Sequence, residues 1–214
     1  MAALLCVLSV LLTACSEPNN TAEKNAAYTV TDAEGTAVDF PAPPQHILTL
    51  SMSTDEVMLG LVEPERMAAV NQLLDDPVSS NVTKLVKAVP NRIGNPTVEE
   101  IMALQPDLVV VPDWGDLSIV PSLREAGLKV VVCKGAKNLA EIRETITLLA
   151  AAAGVPERGA RLQTMMNDKL TAIAEKVDRI PQEDRKRVVL ISIMKGYGGL
   201  GSSFDEACHY AGVI

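Results

Sequence analysis

Residues 95–111 read N-P-T-V-E-E-I-M-A-L-Q-P-D-L-V-V-V, a helix and a strand separated by one break. Thr97 and Glu100 have the spacing of a capping box, in which hydroxyl and carboxylate each satisfy a backbone N–H of the first turn. Ile101, Met102 and Leu104 give the helix an apolar face, and Pro106 stops it. Leu108-Val109-Val110-Val111 is then unbroken and apolar, as expected of a strand covered on both faces in a parallel sheet.

The alternation continues on both sides. Downstream, a helix over about residues 117–126 is closed by Gly127, and Lys129-Val130-Val131-Val132 follows as a strand. Asn138 and Glu141 cap a helix running to Ala153, ended by Gly154 and Pro156. Upstream, residues 46–50 read as a short buried strand, and Ser53 with Glu56 as the capping box of a helix through Met58 to Gly60. Residues 66–70 read as another strand, and residues 71–87 as a loop with one helical turn. From Tyr28 to Phe40 apolar and polar residues alternate around Glu34-Gly35, a β-hairpin closed by Pro41, Pro43 and Pro44. Strands alternating with helices make an α/β layer with right-handed crossovers.

From Pro156 to about Asp178 no internal proline interrupts a helical pattern, a span of roughly 34 Å at 1.5 Å per residue. Leu162, Met165, Met166, Leu170, Ile173 and Val177 fall at helical spacing, so a buried stripe is expected. Pro181 and the charged run from Glu183 to Arg187 end it. Residues 188–193 restart the pattern as a strand, followed by a glycine loop and a helix from about Phe204. One strand and one helix cannot build a covered sheet. Residues 188–193 therefore either join the first sheet or open a second lobe continuing beyond Ile214, and the second is expected.

Of the 214 residues 48% are hydrophobic and 21% charged, which supports a sizeable core and excludes global disorder. Nineteen Lys and Arg against 27 Asp and Glu leave a net charge of −8, and aromatics are only 3%. A nucleic acid would be repelled and would find few stacking platforms. Four cysteines do not make a disulfide framework in a chain this long. Cys133 and Cys208, one in each expected lobe, are read as separate thiols, because a bridge would lock the cleft. His46 and His209 stand far apart, and no His/Cys cluster has metal-ligand spacing.

Residues 2–14, AALLCVLSVLLTA, are apolar but too short to span a bilayer, which needs about 20 residues. They suit the h-region of a secretory signal. The run into Leu12-Thr13-Ala14-Cys15 resembles a bacterial lipoprotein signal, which implies that Cys15 is acylated and begins the mature chain. Several acyl chains supply the hydrophobic signals that stable anchoring needs, and residues 15–27 serve as a polar tether. No Lys or Arg precedes the apolar run, so the natural start is expected upstream of Met1.

The order of these elements resembles a family. A lipoprotein signal, a hairpin with T-D-A-x-G, P-P-Q-H-I-L-T-L-S-x-S-T-D-E, the stretch from Asn95 to Val111, A-G-L-K-V-V-V and a long helix are together similar to the substrate-binding proteins of ABC importers for ferric siderophores, haem and cobalamin. The resemblance covers Tyr28 to Ile214. It implies two Rossmann-like α/β lobes joined by one long helix: an N-terminal lobe over 28–155, a linker helix over 156–180 and an incomplete second lobe over 187–214. It implies a ligand cleft between the lobes, a permease with ATPase subunits as partners, no cofactor, a monomer, and a location outside the cytoplasm on a lipid anchor. A glutamate that salt-bridges to permease arginines in the family is matched by Glu99, with Glu100 its neighbour, although both also suit an ordinary helix first turn.

Ligand residues are expected at the carboxyl ends of the strands. Ser51, Met52 and Ser53 follow the first strand and Asn71 and Gln72 the second. Asn91, Arg92 and Ile93 precede the docking helix, Asp113 and Trp114 follow V-V-V-P, and Tyr197 faces them from the second lobe. Trp114, the sole tryptophan, suits a flat macrocycle or aromatic chelator, or else anchors its own loop. Arg92 pairs an anionic ligand or stays solvated at the surface, and Tyr197 would stack on or ligate an iron-bearing ligand.

Two alternatives stand beside an iron chelate or cobalamin. One is a small anion such as molybdate on the same fold. The other is a dinucleotide oxidoreductase, because residues 196–201, G-Y-G-G-L-G, satisfy G-x-G-x-x-G after an expected strand. The acidic ribose partner would fall at or beyond the chain's end, and an exported protein does not normally meet NAD. No Walker motif and no nucleophile elbow occur, so catalysis has no visible machinery.

Overall fold

The computed structural model describes residues 26–191 and 198–213. The signal, Cys15, the end of the 188–193 strand and Tyr197 with Gly196 lie outside the described residues.

The hairpin forms from β1 (Tyr28–Thr31) and β2 (Ala37–Phe40), antiparallel, with Val30 opposite Val38. Asp32 holds its turn: its Oδ1 accepts from Glu34 N at 2.9 Å and Thr36 N at 2.8 Å. Its Oδ2 pairs with Arg124 at 2.8 Å, and its side chain is fully buried. The hairpin is thereby fastened to the main layer.

Five parallel strands form that layer: β3 (Ile47–Thr49), β4 (Met67–Asn71), β5 (Arg92–Ile93), β6 (Leu108–Pro112) and β7 (Val130–Cys133), in the order β5-β4-β3-β6-β7. Helices α1 (Met52–Leu61), α2 (Val98–Ala103), α3 (Val120–Glu125) and α4 (Leu139–Ala152) connect and follow them. Strand side chains alternate between the two faces. Ile47, Val110 and Val131 enter one cluster with Met58, Leu61 and Leu149. Leu48, Val109, Val111, Val130 and Val132 enter the other with Ile101 and Leu123. The valine runs are continuous because both faces are covered, and each such side chain contributes about 1.5–3 kcal/mol by burial.

Thr97 and Glu100 form the expected capping box of α2. Glu100 Oε2 accepts from Thr97 N at 2.8 Å. The break before β6 falls on Gln105, which turns at φ 49 out of the right-handed helical region that a residue preceding proline avoids. The cap of α1 is a correction: Ser51, not Ser53, stands in extended backbone and accepts from Thr54 N. Glu56, expected to complete that box, instead accepts from Ser80 Oγ at 2.9 Å. Between β4 and β5 there are two short 3-10 segments, Gln72–Asp75 and Leu85–Ala88, rather than one turn.

The long helix α5 (Pro156–Val177) has 22 residues. It packs on α4, where a Cβ at Gly159 would run into Ala150 Cβ. Its apolar stripe is only partly covered: Leu162 and Met166 touch the core, whereas Met165 is 58% exposed and Ile173 42%. The expected burial of all six residues is therefore corrected. Toward its end α5 meets α6 (Ser203–Ala211), where Gly212 lies against Val177. The strand expected over 188–193 is likewise not formed where it is described. Residues 185–191 lie outside any helix or strand and do not join the first sheet. With no partner strand, its N–H and C=O groups have no ladder to enter.

Candidate ligand cleft

At the carboxyl ends of β3, β6 and β7 a cleft of about 700 Å³ opens. Its floor and walls come from Ser53, Thr54 and Val57 of α1, Pro112 and Trp114 after β6, and the Lys134–Lys137 loop after β7. Leu190, Gly198 and the start of α6 at Ser202, Ser203 and Phe204 close the far side. This end of a parallel sheet gathers loops and helix N-termini, which is why ligands of open α/β sheets bind there.

The hydroxyls beside α1 are linked to one another. Ser51 Oγ lies 2.7 Å from Thr54 Oγ1 and 3.2 Å from Ser53 Oγ, and Thr54 Oγ1 donates to Ser51 O at 2.9 Å. Below them, Asp55 is buried between strand ends. It accepts from the Thr49 hydroxyl and from Asn71 N, the latter at 2.8 Å. Burial pushes its carboxyl up to about 7, against the two hydrogen bonds that favour the ion.

Across the cleft, Asn138 caps α4 by accepting from Glu141 N at 2.9 Å. Glu206 of α6 accepts from Leu139 N in the first turn of the same helix, a carboxylate at the positive end of a helix dipole. Lys134 and Lys137 make no ion pair among the described residues. Trp114 is 64% exposed. The cleft thus offers apolar walls, one open indole and two unpaired ammonium groups, a surface suited to an anionic ligand with a flat or apolar body.

Of the expected ligand residues, Ser53 and Trp114 line this cleft. Asp113 stands behind the indole, its Oδ1 accepting from Gly135 N at 2.8 Å. Ser51 is the cap of α1, and Met52 packs against the core. Asn71 accepts from Leu73 N at 2.9 Å, and the Gln72 side chain lies against Gly94. Asn91 Nδ2 donates to Ala68 O at 2.9 Å. Arg92 forms a two-pronged pair with Asp75, at 2.7 and 2.9 Å, and donates to Val86 O and Val89 O. Its guanidinium is committed to its own loop. Ile93 packs beside the second apolar cluster.

The Lys134–Lys137 loop was not expected from the sequence. Its signal was present: it follows β7 as Trp114 follows β6, and K-G-A-K carries two cations beside a glycine. Glu99 is exposed on α2, while Glu100 is engaged in the capping box. Cys133 and Cys208 are both free thiols, and burial pushes Cys133 up to about 12, where it holds its proton. Among the described residues no group of three or more His, Cys, Asp or Glu could hold a metal ion, and no helix is long and apolar enough to cross a membrane.

A doubly covered parallel layer with its cleft at the strand ends defines a ligand-binding α/β lobe. The family model described as periplasmic binding protein matches residues 47–213, and the chain belongs to that family. The ABC transporter substrate-binding lipoprotein YvrC of Bacillus subtilis is 24% identical over 198 residues, covering 88% of this chain and 62% of its own length. A cobalamin-binding protein of Halobacterium salinarum is 27% identical over 169 residues, covering 78% of this chain and 44% of its own. The periplasmic heme-binding protein RhuT of Roseiflexus sp. RS-1 shares the fold, with a TM-score of 0.63 at 21% identity over 79% of this chain and 65% of that one. The chain thus spans about half to two thirds of the length of the proteins it resembles.

Proposed function

We propose that this chain belongs to an exported solute-binding component of an ABC importer, which captures an iron chelate (a siderophore or haem) or cobalamin and hands it to a permease. It binds and releases and makes no covalent change. The observation that carries the reading is the cleft itself. Trp114 stands open at the carboxyl end of β6, and Lys134 and Lys137, without an ion pair among the described residues, line the same cleft as Ser53 and Thr54 of α1. The carboxylates, propionates or phosphate of such ligands suit the two ammonium groups, and their flat or apolar bodies suit the indole.

Within this proposal Ser53, Trp114 and Asp113 serve the ligand site, and Tyr197 is a further residue assigned to it. Glu99 is the carboxylate offered to the permease, because its neighbour Glu100 already serves Thr97 N. Cys15 carries the lipid anchor, and the protein faces the periplasm or cell exterior.

The test is a titration of the only tryptophan's fluorescence with hemin, cyanocobalamin and a ferric trihydroxamate, with orthomolybdate as contrast. Saturable quenching by one of the first three, weakened in a Lys134→Ala/Lys137→Ala variant, is the expected result. Binding of molybdate alone would replace the proposal with a small-anion receptor.

A further inference from the structure

We infer that Gly135 is a specificity-determining position of the cleft: its bare Cα is the seat of the Trp114 indole, and that seat sets how far the ring reaches over a ligand. The inference rests on the reading of this cleft as the ligand site.

Three observations converge on it. A Cβ at residue 135 would overlap Trp114 Cδ1, and it would lie 3.0 Å from Nε1 and 3.3 Å from Asp113 Oδ1. No side chain can occupy that place while the ring does. The backbone does not itself demand glycine there, because Gly135 is absent from the residues with positive φ. Its φ lies outside the left-handed region that favours glycine, so the ring is what requires the missing side chain.

The second observation is how firmly the ring's base is held. Asp113 N donates to Cys133 O at 2.8 Å, and Gly135 N returns to Asp113 Oδ1 at 2.8 Å. On the other side Gly115 N donates to Pro112 O at 2.9 Å. Trp114 is therefore carried on a tight turn clasped to the loop after β7. With the backbone fixed, the seat chooses the ring's place.

The third is the ring's exposure. An indole packed into its own lobe as an anchor would be covered, but Trp114 is 64% exposed beside the cleft. Its edge rests on the glycine and most of its surface is left open. Ring and ligand then divide the space, so a larger residue 135 pushes the indole toward the ligand or out of the cleft. Pre-positioning an aromatic ring also removes an ordering cost from binding.

The experiment compares the full chain with Gly135→Ala, Trp114→Ala and the double variant. Time-resolved anisotropy of the sole tryptophan reads the seat without any ligand: the fast local rotation of the indole should gain amplitude in Gly135→Ala. Calorimetric titration with hemin, cyanocobalamin and a ferric trihydroxamate, which needs no tryptophan, then reads specificity. Gly135→Ala should weaken the best-bound probe about tenfold, the value of one well-placed aromatic contact. Trp114→Ala should cost about as much, and the double variant no more than either.

An unchanged anisotropy decay in Gly135→Ala overturns the seat. A displaced ring with unchanged relative affinities for the three probes overturns the specificity role. If Gly135→Ala is destabilised, the double variant should recover the melting temperature, because the clashing ring is gone; failure to recover it also overturns the seat. Should the wild type bind none of the probes, the proposed function falls and the specificity role with it. The anisotropy result then still separates a real seat from none.

Discussion

Asp55 is a carboxyl group between two strand ends, and burial pushes it up to about 7. An unfolded aspartate loses its proton near pH 4. Between those values the folded chain keeps a proton that the unfolded chain has released, so stability falls as pH rises from about 4 to 7. The full loss is on the order of a few kcal/mol. In Asp55→Asn the amide oxygen can face Asn71 N and the amide nitrogen the Thr49 hydroxyl, which turns to accept. Thermal unfolding of this variant should vary less between pH 5 and pH 8 than that of the wild type, and its melting temperature should be the higher at pH 8. A flat wild-type profile would count against a protonated Asp55. The sequence T-D-E places two carboxylates side by side and does not say which is buried. That choice follows from the cap at Ser51, which turns Asp55 toward the strands and Glu56 toward Ser80. Asp32 is the other buried carboxylate among the described residues. It serves three backbone N–H groups and Arg124 from a fully buried position. Asp32→Ala leaves those donors unpaired and should cost about 2–4 kcal/mol, measured by urea unfolding.

Among the elements, those whose signals are local were readable. The capping box of α2 needs only Thr97, Glu100 and their own backbone, and it forms as the spacing predicts. Thr97→Ala should cost about 1 kcal/mol and speed amide exchange in α2. The cap of α1 was misplaced because S-M-S-T offers three hydroxyls, and the winner is set from outside the helix. Thr49 is pinned to Val110 by the β3–β6 register, and Leu50 N donates to Val110 O. Ser51 is thus the first hydroxyl free to cap. The α4–α5 pairing was also hidden, since a glycine in a helix gives no sign of its neighbour. Gly159 lets Ala150 approach, so Gly159→Val should destabilise by about 1–3 kcal/mol. Adding Ala150→Gly should restore part of the melting temperature; no restoration would mean that the two residues do not meet.

For the molecule as a whole, legibility divides along the chain. Valine runs and alternating helices gave four of the five strands, because burial on both faces leaves an unmistakable pattern, whereas β5, two half-buried residues, carries no such run. The cleft was half legible. Ser53 and Trp114 followed from the strand-end rule, whereas the Lys134–Lys137 loop obeys the same rule after β7 and was not expected. In the last third the long helix and the final helix formed as expected, but residues 188–191 did not become a strand, because V-V-L-I is a strand only where another strand receives it. In this chain Val189 is 81% exposed, Ile191 90% and Leu200 98%, and Met165 of α5 is open as well. Large apolar side chains this open mark a surface that a contact can cover. Local stability should follow burial. Amides of β3 and β6 should exchange only through global unfolding, while those of residues 186–191 exchange within seconds at neutral pH. The same surface should bind an apolar dye such as anilinonaphthalene sulfonate, and Ile173→Lys with Ile191→Lys should reduce that binding without moving the exchange of β6. Slow exchange across 186–191 would show that this stretch is protected after all, and the strand expected from the sequence would be restored.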